Sequence, residues 1–276
     1  MARKLFTIMT PFRTMARFND SGGWVLSSHV AMSLMLALFP FVLFIVALAG
    51  AVSWDVDVEE LITLVFGVWP DSIARPIVTE IRAVLDGGQV ELITLGGILA
   101  LYFASNGVDA VRLAISQAYR DDDPRPFWKT RALSVVFVLI GGSVILGVLI
   151  LGVVLPAYFL YLAPAVPDAV VPWLESRGMS TVVTLAVLAV LVAACHIWLP
   201  GLRHSLRDIW PGVLVTVALW WAATWGFSIY MSYFANYSAT YAGLAGVMAA
   251  LIFLYLMAAI LILGAHLNGH ILDNNR

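Results

Sequence analysis

The chain has 276 residues, of which 62% are hydrophobic and only 12% charged, with a net charge of −2. Soluble domains carry about 25% charged residues, and too few polar side chains are present here to cover a water-facing surface, so a soluble globular fold is excluded and lipid is the expected solvent. The near-neutral balance also argues against nucleic acid as the main partner.

The expected fold class is all-α, a polytopic membrane bundle in a single domain over residues 1–276. Residues 1–23 are basic and amphipathic, and read as a cytoplasmic segment on the membrane surface. A span needs about 20 mostly apolar residues. Six segments qualify: about 24–52, 90–119, 132–162, 180–199, 209–234 and 242–267. With both termini placed in the cytoplasm, twelve of the 15 basic residues fall inside and ten of the 17 acidic ones outside. That asymmetry sets the orientation. Trp24, Trp54, Trp198 and Trp210 fall near span ends, where an indole bridges lipid and water. The outer segment 55–89 holds an apolar group at Leu61–Phe66 and helical spacing at Ile77, Ile81, Val84 and Leu85. It is expected to form two short amphipathic helices.

Small residues recur four apart at Gly96, Ala100 and Ala104, at Ser143 and Gly147, and at Ala242, Gly246 and Ala250. Such faces let helices approach closely, and they leave room for a homo-oligomer. The lone Cys195 lies in an apolar run and reads as an inert thiol. Whether the second helix runs straight through Gly107 is open at this stage.

The main polar cluster is on that second helix. Asn106, Asp109 and Arg112 are three apart and share one face, which Arg120 extends inward. Ionisable groups near the bilayer are functional candidates by default. Asp121-Asp122-Asp123 reads as a solvated turn. The uncharged, hydroxyl-rich stretch at Asn236, Tyr237, Thr240 and Tyr241 fits an outer turn or a re-entrant piece lining a cavity. His266 and His270 are four apart but have no third ligand nearby in sequence, so a polar pair at the membrane edge is expected and no metal or cofactor. No hydrolase or phosphate-loop motif is present.

Several of these stretches together resemble the YihY/virulence factor BrkB family. They are Ser33–Pro40, Asn106 with its helix and the segment Arg120–Arg131, then Phe234–Gly243, Leu254-Tyr255 and Gly264-Ala-His-Leu-Asn268. The resemblance covers nearly the whole chain. It departs at His266, where members usually have Glu, so no role of that carboxylate carries over. The resemblance implies a multi-pass protein of the bacterial inner membrane. It also brings a ribonuclease label, which scattered ligand types and short cytoplasmic loops do not favour. Three functions follow for testing. The first is translocation of a lipid or amphipathic envelope molecule, the second a non-catalytic scaffold for envelope assembly, and the third a membrane-bound ribonuclease. On the first, Asn106, Asp109, Arg112 and Arg120 form an inner site for an anionic head group. Asn236, Tyr237, Thr240 and Tyr241 line the outer side. Membrane lipids and an anionic envelope precursor are then the partners, and the protein is not an enzyme.

Overall fold

The computed structural model describes residues 10–52, 78–79, 90–119, 123–149, 177–202, 204–234 and 244–274. Seven helices carry most of these residues: α1 Thr10–Asp20, α2 Gly23–Val52, α3 Val90–Ala118, α4 Phe127–Leu149, α5 Arg177–Trp198, α6 Leu206–Phe234 and α7 Leu244–Asn274. Among the described residues there is no strand. A helix of at least 22 residues stands at each position expected to span. Four of the seven have a described window long and apolar enough to cross a membrane: Gly97–Ala118, Phe127–Val144, Leu206–Met231 and Met248–Asn274.

The ends of the helices follow local chemistry. Between α1 and α2 the chain turns at Ser21-Gly22, and Gly22 takes φ 71°. That left-handed conformation strains residues bearing a Cβ. Ser205 precedes α6, and both its hydroxyl, at 2.6 Å, and its N–H, at 3.3 Å, donate to the Asp208 carboxylate, which satisfies one amide at the start of the helix. Pro211 is the sixth residue of α6, past the first turn, so α6 runs through it with one fewer intrahelical hydrogen bond. The helix α4 begins at Phe127, five residues before the expected 132, because Pro124 and Pro126 disfavour helical backbone in the residues before them and Pro126 O accepts the first turn's amide from Lys129. The helix α3 runs unbroken through Gly107, which settles the question left open by the sequence.

Helix α3 lies at the centre. One face packs Ala110 and Ala114 against Phe18, Val30, Ala258 and Ile262. The other packs Ile115 and Ala118 against Val192, Ile209, Val213 and Leu261. The outward faces are apolar too: Leu36, Ile140, Val190, Leu214, Trp221 and Trp225 are all exposed. Exposed large side chains along every flank are what a lipid solvent selects. Trp24, Trp198 and Trp210 are exposed at helix ends, as an interfacial belt requires. The fourth, Trp54, lies outside the described residues, as does the outer segment 55–89 apart from residues 78 and 79.

Two expectations need correction. The amphipathic N-terminal segment does not simply rest on the surface. In α1, Thr14 and Phe18 are buried, and the helix docks on the end of α7. Among the described residues the Ser143–Gly147 face makes no close helix contact, since a Cβ on Gly147 would meet nothing within 4 Å there. The tight crossing lies elsewhere, between Gly212 of α6 and Gly264 of α7. A methyl group on either would collide with atoms of the other helix.

Candidate functional site

The polar side chains gather at the end of the bundle where α2, α6 and the α4 helix begin and α3, α5 and α7 finish. They form three linked groups. The first contains the sequence candidates. Arg112 is buried, its side chain 10% exposed. Its Nε donates to Asp109 at 2.8 Å, one turn back on α3, and its Nη1 donates to Asp123 at 2.7 Å. Asp123 also accepts from Arg125 Nε and Nη2, both at 2.7 Å, and from the Arg125 amide. Arg125 reaches on to the Leu199 carbonyl just past α5. One carboxylate thus gathers two guanidinium groups and ties α3, the loop after it and the end of α5. Hydrogen bonds from Arg125 hold the Asp123 carboxyl down to about 2, with the Arg112 charge adding to the effect. The expected solvated turn is therefore wrong for Asp123, whose side chain is only 10% exposed. Residues 121 and 122 lie outside the described set.

Asn106 does not join that network. Its Oδ1 accepts from Arg131 Nη1, while Arg131 Nη2 donates to the Tyr102 carbonyl at 2.8 Å. The Arg131 guanidinium also lies 4.2 Å over the Tyr102 ring. This clasp fixes α4 to α3 and uses the planar fork that a lysine lacks. Asn106, Asp109 and Arg112 share a helix, but they serve two different neighbours. Arg120, Asn236, Tyr237, Thr240 and Tyr241 lie outside the described residues.

The second group was not foreseen. Asn268, fully buried on α7, accepts from the Gly212 amide at 2.7 Å. It donates to the Ile209 carbonyl at 2.9 Å and to Tyr119 Oη at 3.2 Å. Tyr119 lies 2.8 Å from His196 Nδ1 and stacks on His204 with ring centroids 4.1 Å apart. Because Oη already accepts from Asn268, its proton goes to His196 Nδ1, which leaves the His196 proton on Nε2. That atom is buried and has no hydrogen-bond partner among the described residues. The only sequence signal was the dense polar run Gly264-Ala-His-Leu-Asn-Gly269 inside an otherwise apolar helix.

The third group docks α1. His266 is fully buried. Its Nδ1 lies 2.9 Å from the Ile262 carbonyl, which only accepts, so the proton sits there. Its Nε2 lies 2.6 Å from Ser21 Oγ in the turn between α1 and α2. Gln117 of α3 donates to the Ser21 carbonyl at 3.0 Å, and Arg17 pairs with Asp273 at 2.6 Å. His270 bonds Asn274 instead, at 3.0 Å, so the two histidines do not converge on a metal. Among the described residues no three His, Cys, Asp or Glu side chains gather as metal ligands. Replacing His266→Ala is expected to open a hole beside Phe18 and to remove one of the two partners of Ser21 Oγ, which still reaches the Phe18 carbonyl at 3.0 Å, weakening the docking of α1 by about 2 kcal/mol. Limited proteolysis should then cut before residue 23 many times faster, whereas His266→Glu, which keeps an acceptor for Ser21, should stay resistant.

Beside these groups is a cavity of about 650 Å³. Five helices line it. Val30, Val111, Leu188, Trp221 and Phe253 stand one on each of α2, α3, α5, α6 and α7. Cys195, half-buried, forms part of its wall near the polar end.

The profile of the family described as Virulence factor BrkB matches residues 14–276. A curated relative from Bacillus subtilis (strain 168), named the ribonuclease-like protein YfkH, is 27% identical over 261 residues, covering 92% of this chain and 91% of that protein. No solved structure matches the chain significantly.

Proposed function

This chain belongs to the virulence factor BrkB family and is an integral membrane protein, and on that premise we propose that it moves a lipid or an amphipathic envelope molecule between the leaflets of the bacterial inner membrane. In this reading it crosses six times with both ends in the cytoplasm, acts without a cofactor and is not an enzyme. The observation that carries the reading is the pairing of an apolar cavity of about 650 Å³ with a layer of buried charge at one end of the same bundle. An amphipathic substrate has the same two parts in the same order.

The head group enters at Arg112 and Arg120. Asp109 and Asp123 already balance the charge of Arg112, so an anionic head group gains access by taking the place of Asp123. That exchange replaces one charge-assisted pair with another and leaves no cation uncompensated. Asn106 keeps α4 in register, and Asn236, Tyr237, Thr240 and Tyr241 line the opposite exit.

Liposomes provide the test. The purified full chain, reconstituted with a tail-labelled fluorescent phosphatidylglycerol, is expected to expose the label from both leaflets roughly ten or more times faster than protein-free vesicles, a barrier change of about 1.4 kcal/mol or more. Asp109→Asn and Arg112→Lys are expected to slow the anionic lipid more than a zwitterionic one. If neither lipid moves faster than the background, the translocation reading fails. If both variants move lipid as wild type does at normal protein level, the site assignment fails.

A second reading is an envelope scaffold. It draws on the same network, since every candidate group that the structure describes is satisfied within the chain. Cross-linking in native membranes would then recover one recurrent partner. The relative's ribonuclease-like name suggests a third reading, which predicts metal-dependent RNA cleavage by the pure protein. The absence of a metal-ligand cluster among the described residues gives that reading no support here.

A further inference from the structure

We propose that the cavity between α2, α3, α5, α6 and α7 is a binding site for one acyl chain of a membrane lipid. This deepens the translocation reading by naming the part of the lipid that the bundle grips. Binding and movement are separate properties, and the experiment below reads binding alone.

The lining decides the chemistry. Among the described residues no Asp, Glu, Lys or Arg lines the cavity. Trp220, whose indole could offer a donor, already gives its N–H to the Met257 carbonyl at 2.9 Å. Besides Trp220, only Thr224, Trp221 and the Cys195 thiol bring polar side-chain atoms to the described lining, a poor match for water, which needs two to four polar partners. A head group would find no counter-charge. A space of about 650 Å³ is nonetheless well within the size range of ligand sites. Left empty in a lipid bilayer, it would forfeit the dispersion contacts that a flexible hydrocarbon chain supplies.

Length and depth point the same way. Along α5 the lining runs from Leu185 to Cys195, and ten residues of helix rise about 15 Å. That is half of the ~30 Å hydrocarbon core, the depth of one leaflet. The cavity ends at Cys195, one turn from the end of α5, where the charged layer begins. A lipid on that side can lay its chain along the cavity and leave its head group at the polar layer.

The test is lipid retention on the full-length protein by native mass spectrometry after delipidation. The probes are long-chain phosphatidylglycerol and its water-soluble short-chain analogue. Wild type is expected to hold one long-chain lipid at concentrations where the short-chain analogue does not bind. Leu188→Trp and Ala258→Phe put bulk into the cavity. Each is expected to weaken retention by about tenfold or more, the loss when roughly two methylenes fail to bury. Leu214→Trp, on an exposed face outside the lining, is the control and should bind as wild type. Equal binding of both probes would make the head group the determinant and overturn the proposal. Retention unchanged in the two cavity variants would mean annular lipid only, and would also overturn it. The probe comparison on wild type stands even if a variant fails to fold. A protein that holds the chain yet moves no lipid in liposomes would sink the translocation reading and leave this site intact.

Discussion

Gly212→Ala and Gly264→Ala are expected to destabilise the bundle more than any polar substitution in it. A Cβ on Gly212 would run into the backbone carbonyl of Gly264 and the side chain of Asn268. A Cβ on Gly264 would run into Thr216 Oγ1 and would stand 2.9 Å from the Gly212 carbonyl. A side chain end can swing away, but a helix backbone cannot, so α6 and α7 must separate. Separation stretches the bonds from Asn268 to Gly212 and Ile209, since both donors and acceptors sit on the crossing. Overpacking and the lost bonds together come to about 4 kcal/mol. Asn268→Leu removes three hydrogen bonds without adding a backbone clash. Hydrogen bonds between membrane helices average only about 0.6 kcal/mol each, so the expected cost is near 2 kcal/mol. Thermal aggregation midpoints in detergent should therefore rank Gly264→Ala and Gly212→Ala below Asn268→Leu, and Asn268→Leu below wild type. The reverse order would mean that the polar joint, not the close approach, holds these helices together.

The helices were legible in the sequence because the signal for them is bulk transfer of apolar surface, which accumulates over 20 residues and survives local errors. Hence the ends of α2, α3, α5 and α6 fall within three residues of expectation. The start of α4 was missed because Lys129, Thr130 and Arg131 break the apolar run. Its helicity comes from a proline-set start and the Arg131 clasp on Asn106, a contact 25 residues away in sequence. Periodicity placed Asn106, Asp109 and Arg112 on one face, and they do share α3. It could not show that Asn106 answers to α4 while Arg112 answers to Asp123, because partner choice is a tertiary fact. Small-residue spacing pointed to Ser143 and Gly147, yet the close crossing is at Gly212 and Gly264. Spacing shows where a helix can be approached. Which helix arrives there depends on the connections, and on polar groups such as Asn268 that fix the register.

The charge layer provides the second large effect. Arg112→Ala is expected to cost about 3 kcal/mol, since it leaves Asp109 and part of Asp123 without the guanidinium that compensates them. Asp123→Asn tests the same joint from the acid side, and its effect depends on pH with a definite sign. The folded Asp123 carboxyl is held at about 2, below the unfolded value near 3.8. A depressed acid contributes stability above its unfolded pKa and loses it as pH falls through its folded pKa. The gap between wild type and Asp123→Asn should therefore be full, about 1–2 kcal/mol after solvent screening, from neutral pH down to about 4. It should then close between about 4 and 2. Other carboxylates titrate there as well, which is why the difference between the two proteins is the quantity to follow. The same variant also separates a lock from a staple. If an anionic head group must displace Asp123 from Arg112, then Asp123→Asn lowers the midpoint and raises or preserves lipid movement, because the competitor for the arginine is gone. If the network only fastens α3 to α5, both properties fall together. Opposite signs for stability and transport are the result that a purely structural role for Arg112 and Asp123 does not produce.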